Sequence, residues 1–247
     1  MRGSLTHQYE RREGLKYVGF RDFSMHLPHA RGVSHKVQAI VSRDTGQKVS
    51  AEILIDAPPD DIKKYLSHTD VSFDIFLSQL IEAFQSGEHR HVNIELVDLM
   101  RPNFIEFLKP ILSQFRRKND RNRVVIEITE RGKVEDVFHP MTKVNLQFLK
   151  REGFSLFVDD YDLEGSLSNN VSRMIYQRFR GILSGVKIPH EFRDLLLEEH
   201  WKNTAKRMHA LSSIAASSII IAEGNGLYHR RGYLPRKIHA LQDPLYS

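Results

Sequence analysis

One apolar run, residues 154–160 with the sequence FSLFVDD, constrains the fold most because it ends in two adjacent carboxylates, Asp159 and Asp160. Ionised carboxylates this close together repel and shift each other's pKa, so a buried strand ending on them needs a cation. Apolar runs that also carry acids at their C-terminal ends are residues 124–130, 217–223 and, more weakly, 49–52. Functional groups of parallel α/β barrels collect at these strand ends. The repeated pattern predicts a single site that depends on divalent metal ions.

Length and composition favour one globular domain. A chain of 247 residues is long enough for one α/β barrel, and its 40% hydrophobic and 27% charged residues are ordinary for a globular protein. Cysteine is absent, which excludes disulfides, thiolate zinc sites and a cysteine nucleophile. The first residues lack the apolar core of a signal peptide, and no window reaches the ~18 apolar residues of a membrane span. We expect a soluble cytoplasmic protein without membrane contact.

The chain is mildly basic, with a formal net charge of +5 and a pI near 9.3. Its basic residues are dispersed, and the densest cluster, within residues 116–123, lies between a helix-like segment and a strand. We interpret that cluster as a solvated loop, which disfavours nucleic acid as a partner. A basic excess would also attract a small phosphate-bearing substrate. Composition alone does not distinguish a nucleic-acid partner from a small phosphate-bearing substrate.

The hydrophobic pattern predicts an alternation of strands and helices after a polar N-terminal extension at residues 1–34. Strands are predicted at residues 37–42, 48–55, 91–96, 124–130, 154–160, 184–188, 217–222 and 237–241, and helices at 71–84, 102–115, 141–150, 170–182 and 190–210. The first two strands are joined by five residues, too few for a parallel crossover, so they are antiparallel. The remaining order predicts a TIM-like (β/α)8 barrel over residues 35–247, with one antiparallel strand near its start.

Several short segments occur in an order typical of one family. Residues 51–54 read Ala-Glu-Ile-Leu, residues 126–130 Ile-Glu-Ile-Thr-Glu, residues 158–160 Val-Asp-Asp, residues 186–188 Val-Lys-Ile and residues 222–224 Ala-Glu-Gly. Together with Asn93 and Gln242, they resemble the EAL family of cyclic di-GMP phosphodiesterases, whose signature Glu-Ala-Leu is Glu-Ile-Leu here. The resemblance covers residues 36–247. It rests on the ordered set, since any single short motif has a high false-positive risk.

The resemblance implies a role for each polar strand-end residue. The expected metal ligands, for two Mg²⁺ or Mn²⁺ ions, are Glu52, Asn93, Glu127, Asp159 and Asp160. Lys187 would orient the attacking water with Glu223, and Glu130 would anchor the loop after Asp160. The expected contacts to a cyclic dinucleotide substrate are Gln38, Leu54 and Gln242. The resemblance also implies a homodimer.

The chain departs from the family pattern at positions expected to affect substrate binding more than catalysis. Asp56 stands where the family has an arginine that contacts substrate phosphate, the glycine-rich loop is replaced by residues 161–165, and Pro189 replaces an aspartate. Two alternatives therefore stay open. One is a degenerate EAL domain that binds a nucleotide or a protein as a regulator with weak or no hydrolysis, and the other is hydrolysis of a different cyclic dinucleotide or a linear phosphodiester.

The histidines show no metal-binding pattern such as His-Glu-x-x-His. His89 and His91 flank the start of a strand, and His200 and His209 lie on a predicted helix. We interpret them as surface or packing residues.

Overall fold

The computed structural model describes residues 33–115, 118–161, 171–189, 212–214, 216–224, 227 and 237–242. The predicted helix at residues 190–210 and nearly all of the predicted N-terminal extension lie outside these ranges, so the domain boundaries stay predictions. Within the described ranges, no helix combines the length and the apolar character needed to cross a bilayer.

The strands of the described residues close into a barrel in sequence order. They are β1 His35–Ser42, β2 Lys48–Ile55, β3 Arg90–Glu95, β4 Val124–Thr129, β5 Ser155–Val158, β6 Gly185–Ile188, β7 Ile219–Glu223 and β8 Ala240–Gln242. β1 is antiparallel to both of its neighbours, β2 and β8, and every other pair is parallel. The predicted barrel with one antiparallel strand is confirmed.

Helices cover the outside of this barrel. The described helices are α1 Pro59–Ser67, α2 Thr69–Ser86, α3 Phe104–Gln114, the one-turn α4 Lys118–Arg121, α5 Pro140–Glu152 and α6 Val171–Phe179. We did not predict α1, whose amphipathic pattern is short: only Ile62, Tyr65 and Leu66 share its apolar face, and they are half-buried. The helix predicted at residues 102–115 begins at Phe104, so Pro102 lies just before its first turn. The chain before that helix is extended at Arg101 and bends at Asn103.

Alternating side chains separate an apolar outer layer from a barrel interior that holds polar groups beside a small apolar cluster of Ile40, Phe157, Ile221 and Ala240. On β3, Val92 and Ile94 belong to the core between barrel and helices, whereas His91 and Asn93 hydrogen-bond to acids on neighbouring strands. Phe73, Phe76 and Phe104 pack together in the outer layer, with ring centroids 5.7–6.4 Å apart. Because the apolar burial lies mainly outside the strands, the interior can carry charged groups.

Candidate active site

Lys187, on β6, lies at the centre of a ring of carboxylates inside the barrel. Its Nζ is 3.0 Å from Glu52 Oε2, 2.9 Å from Glu127 Oε2, 3.4 Å from Asp159 Oδ1 and 2.8 Å from Glu223 Oε1. Lys187 is 1% exposed. A single ammonium cannot neutralise four carboxylates, and buried charges are costly unless they are compensated. The interior is therefore short of positive charge.

Two amide side chains hold Glu52 from either side. Asn93 Nδ2 donates to Glu52 Oε1 and Gln242 Nε2 donates to Glu52 Oε2, each over 2.5 Å. Both amides use their nitrogen in this way, so their oxygens face away from Glu52. Asn93 Oδ1 and Gln242 Oε1 are buried and have no hydrogen-bond donor among the described residues. Buried oxygens without a donor are uncommon, and a bound cation or ligand would satisfy them.

A second group of acids lies where β5 ends. The strand stops at Val158, two residues before the predicted end, and Asp159 N donates to Ile128 O over 3.0 Å. Asp160 then adopts a left-handed backbone with φ of 46°, a conformation that costs energy in a residue other than glycine. Asp159, Asp160 and Glu223 each offer an oxygen, and the three oxygens lie within 4.8 Å of one another. This grouping has the size of a metal site.

The carboxyl pKa values show the same shortage of positive charge. Burial, Asp159 and Glu223 raise the pKa of Asp160 to about 8. Burial and neighbouring acids hold the pKa of Glu127 well above its ordinary value. Burial alone would raise the pKa of Glu52, but Lys187 and the two amides outweigh it, and the pKa is lowered. Burial would lower the pKa of Lys187, yet the surrounding acids raise it well above its ordinary value, so the ammonium stays charged.

The donor set indicates which cation would fit. Among the described residues, the side chains around Lys187 and Asp160 that could coordinate an ion offer carboxylate or amide oxygens. Hard oxygen ligands suit Mg²⁺, Mn²⁺ and Ca²⁺. The unpaired oxygens of Asn93 and Gln242 and the excess of carboxylates fit such an ion.

His91 contacts the site, although we interpreted the histidines as surface or packing residues. Its Nδ1 lies 2.5 Å from Glu127 Oε1, and its ring meets the edge of Phe157 at 5.6 Å. Burial and the charge of Lys187 lower the pKa of His91 to about 3, so the imidazole is neutral. The spacing in the sequence could have identified His91 as a residue of the site. His91 precedes Asn93 by two residues and therefore shares its face of β3.

The other expected residues lie nearby without joining the ring around Lys187. Gln38 is opposite Glu52 in the β1–β2 register, and Leu54 follows Glu52 by two residues on β2; both are half-buried. Glu130 follows β4 and contributes to the raised pKa of Asp160. The loop that Glu130 was expected to anchor lies mostly within residues 162–170, outside the described ranges.

Asp56, the acid at the position of the expected arginine, is exposed just after β2. Its backbone N–H donates to Ser34 O over 2.8 Å, and its carbonyl accepts from Ser34 Oγ over 3.0 Å. The backbone of Asp56 is thus tied to the chain before β1, while its carboxylate faces solvent.

A polar network at the ends of β3 and β4 contains a further buried acid. Asp98 is fully buried, and its carboxylate lies 2.9 Å from Ser72 Oγ and 3.2 Å from Arg101 Nε. Arg131 donates to the same Ser72 Oγ and lies 3.1 Å from Glu95 Oε2 through its Nε. Burial raises the pKa of Asp98 to about 6.

No protein-family model and no curated protein sequence matches the chain. Solved structures do match it. The EAL enzyme Bd1971, in its cAMP- and cyclic-di-GMP-bound form, aligns with a TM-score of 0.68 at 15% identity, over 92% of this chain and 65% of Bd1971. The PaMucR phosphodiesterase in complex with c-di-GMP aligns with a TM-score of 0.64 at 18% identity, over 92% of this chain and 95% of PaMucR.

A third similar structure contains a metal. It is Klebsiella pneumoniae BlrP1 in a calcium and cyclic di-GMP complex, with a TM-score of 0.60 at 18% identity over 87% of this chain and 55% of BlrP1. The chain thus spans about two thirds of the length of Bd1971 and about half that of BlrP1. These likenesses establish that the chain has the fold of EAL domains.

Proposed function

We propose that this chain, with its EAL-domain fold, is a metal-dependent phosphodiesterase that hydrolyses cyclic di-GMP to linear 5′-pGpG. The observation that carries the proposal is the ring around Lys187, which brings four carboxylates, three on strands and one just after β5, within 3.4 Å of one ammonium. Neither helix capping nor solvation accounts for acids buried in this arrangement. The structures of Bd1971, PaMucR and BlrP1 with cyclic di-GMP support this choice of substrate.

The proposed ligands form two overlapping sets. Glu52, Asn93, Glu127 and Asp159 would hold one Mg²⁺ or Mn²⁺ ion, and Asp159 with Asp160 would hold a second. Asn93 Oδ1, buried without a donor, supports the first set. The closeness of the Asp159, Asp160 and Glu223 oxygens supports the second. A bound pair of divalent ions supplies a hydroxide nucleophile at neutral pH and neutralises charge on the phosphoryl oxygens.

Lys187 and Glu223 would position the attacking water. The raised pKa of Lys187 makes its Nζ a hydrogen-bond donor and not a base, so it can orient the water oxygen and face developing negative charge. Glu223 Oε1, 2.8 Å away, holds this ammonium in place. Gln38 and Leu54 on the paired strands β1 and β2, together with the free oxygen of Gln242, would contact the nucleotide. Glu130 would fix the loop after Asp160.

The test is product formation by the purified protein. With Mg²⁺ or Mn²⁺ we expect conversion of cyclic di-GMP to 5′-pGpG, resolved by chromatography, and no conversion with a chelator. Glu52→Gln removes a ligand charge at nearly constant volume and should abolish turnover. Glu106→Gln makes the same change at an exposed acid on α3 and should not. Equal activity of the Glu52→Gln variant and the wild type would refute the proposed metal set.

Asp56 favours one alternative, a regulator that binds the nucleotide with weak or no hydrolysis. An acid at the position of the expected arginine removes a phosphate contact while the buried ring stays in place. Calorimetric binding of cyclic di-GMP with Ca²⁺, combined with no product in Mg²⁺ or Mn²⁺, would select this alternative. Two further proposals are a homodimer, which the resemblance implies, and a cytoplasmic location, which the cysteine-free composition favours. Light scattering and cell fractionation would test them.

A further inference from the structure

The two oxygens of the Glu127 carboxylate have different partners. Oε2 lies 2.9 Å from Lys187 Nζ, and Oε1 lies 2.5 Å from His91 Nδ1. Glu127 and His91 are buried, at 0% and 3% exposure. The β3–β4 register pairs Asn93 with Glu127 and His91 with Val125, and the β2–β3 register pairs His91 with Glu52. His91 thus contacts the Glu127 oxygen that does not contact Lys187.

A carboxylate that ligates a metal ion is ionised, so its partner on Oε1 must donate. His91 Nδ1 then carries the hydrogen and donates to Oε1, which occupies that oxygen and fixes the plane of the carboxylate. Oε2 is left to face the centre of the site. Outer hydrogen bonds of this kind orient the ligands of metal sites and commonly change metal affinity by about 10–100-fold when removed.

We infer that His91 is a positioning residue that restricts Glu127 to one-oxygen ligation and so favours Mg²⁺ over Ca²⁺. Ca²⁺ accepts both oxygens of a carboxylate and tolerates irregular geometry, whereas Mg²⁺ requires a near-ideal octahedron. If Glu127 could rotate freely, the affinity of the site for Mg²⁺ would fall more than its affinity for Ca²⁺. This inference rests on the metal site of the proposed function.

The packing around His91 keeps its ring in place. Phe157 on β5 meets the imidazole at 5.6 Å with the ring planes at 73°. Gly185 on β6 makes room for Phe157, because a Cβ at Gly185 would lie 2.3 Å from the Phe157 ring. Glu127 on β4 and Phe157 on β5 thus hold the imidazole, which limits the freedom of Glu127 as well.

The test measures metal selectivity without nucleotide. Mn²⁺ binding to the purified protein is followed by electron paramagnetic resonance, and Mg²⁺ and Ca²⁺ are titrated as competitors. His91→Asn places an amide nitrogen near the position of Nδ1, whereas His91→Leu has a similar size and no donor. We expect His91→Leu to weaken Mg²⁺ binding by about 10–100-fold and Ca²⁺ binding by much less. His91→Asn should keep both affinities within about threefold of wild type.

The outcomes separate this inference from the proposed function. His91 would be only a packing residue if His91→Leu kept the wild-type affinities for Mg²⁺ and Ca²⁺. The same would follow if His91→Asn and His91→Leu changed both affinities by the same factor. Absence of Mn²⁺ binding by the wild type would overturn the metal site, and this inference with it. Selective binding without hydrolysis of cyclic di-GMP would leave the inference standing and remove the proposed activity.

Folding of the variants is checked by thermal unfolding before metal is added. If His91→Leu does not fold, His91→Gln replaces it. Its amide nitrogen lies one carbon farther from the backbone, near the position of Nε2 and not of Nδ1, the atom that faces Glu127 Oε1. The Mg²⁺ affinity of His91→Gln should fall by about 10–100-fold, as for His91→Leu. Wild-type selectivity between Mg²⁺ and Ca²⁺ in His91→Gln would overturn the inference.

Discussion

Lys187 Nζ lies 2.8 Å from Glu223 Oε1, although the β6–β7 register pairs Lys187 with Ile221. Glu223 is two residues beyond Ile221, so it shares the interior face of β7 and reaches back along the strand to the ammonium. Glu52, Glu127 and Asp159 approach the same nitrogen from three other strands or strand ends. Lys187 therefore compensates acids that would otherwise face one another without a cation.

Replacing Lys187 by methionine should destabilise the metal-free protein and slow turnover. Loss of one partner leaves buried charges uncompensated, which typically costs about 3–5 kcal/mol. Mn²⁺ should restore much of this loss in urea unfolding, because it supplies the missing positive charge. We expect kcat to fall by about 10²-fold or more. Lys143→Met, on the exposed face of α5, is the control; equal destabilisation of both variants would contradict the central role of Lys187.

Asp56→Arg should tighten the binding of cyclic di-GMP. The substitution replaces an acid by a base at the position of the expected phosphate contact. Because Asp56 is exposed, solvent screens the gain, which we put at about 0.2–1 kcal/mol, or up to about fivefold in Kd. Calorimetry with Ca²⁺ as a non-activating ion measures it. Asp60→Arg makes the same charge change on α1; an equal gain there would show that only net charge matters.

The sequence predicted the parallel strands and their acids well, because both follow short periodic patterns. Glu127 and Lys187 could be assigned to the site from the sequences of their own strands. His91 could not be assigned its role, since a histidine on an inward face packs or hydrogen-bonds according to what the neighbouring strand offers. That neighbour, Glu127, is 36 residues away along the chain. The left-handed backbone of Asp160 was equally hidden, because tertiary contacts and not local propensity impose it.

The buried acid Asp98 should make stability depend on pH. Its pKa rises from 3.8 to about 6 on folding, so the folded protein binds the proton more tightly. The resulting stabilisation is complete below pH 3.8 and is lost as pH rises through about 6. The contribution of Asp98 to the free energy of unfolding changes by about 3 kcal/mol at most over this pH range. Relative to Asp98→Asn, the wild type should therefore be more stable at pH 4 than at pH 7.

Urea unfolding of both proteins at the two pH values measures this difference. Asp70→Asn is the matched control, because it removes an exposed carboxylate that contacts the same Arg101 at 3.0 Å. A wild-type advantage over Asp98→Asn that grows toward pH 7 would show that Asp98 is stabilised as a carboxylate.

Gly185→Ala should destabilise the barrel beside the site. An added Cβ would lie 2.3 Å from the Phe157 ring and 2.7 Å from the backbone oxygen of Ile219. The ring can shift but the backbone of β7 is held by its pairing with β6, so we expect a loss of about 1–3 kcal/mol in urea unfolding. Gly181→Ala is the control, since no atom lies within 4 Å of the added Cβ, and it should change stability by about 0.5 kcal/mol or less. A Gly185→Ala variant as stable as Gly181→Ala would mean that Phe157 and β7 can both yield, and that the packing against His91 is looser than the geometry indicates.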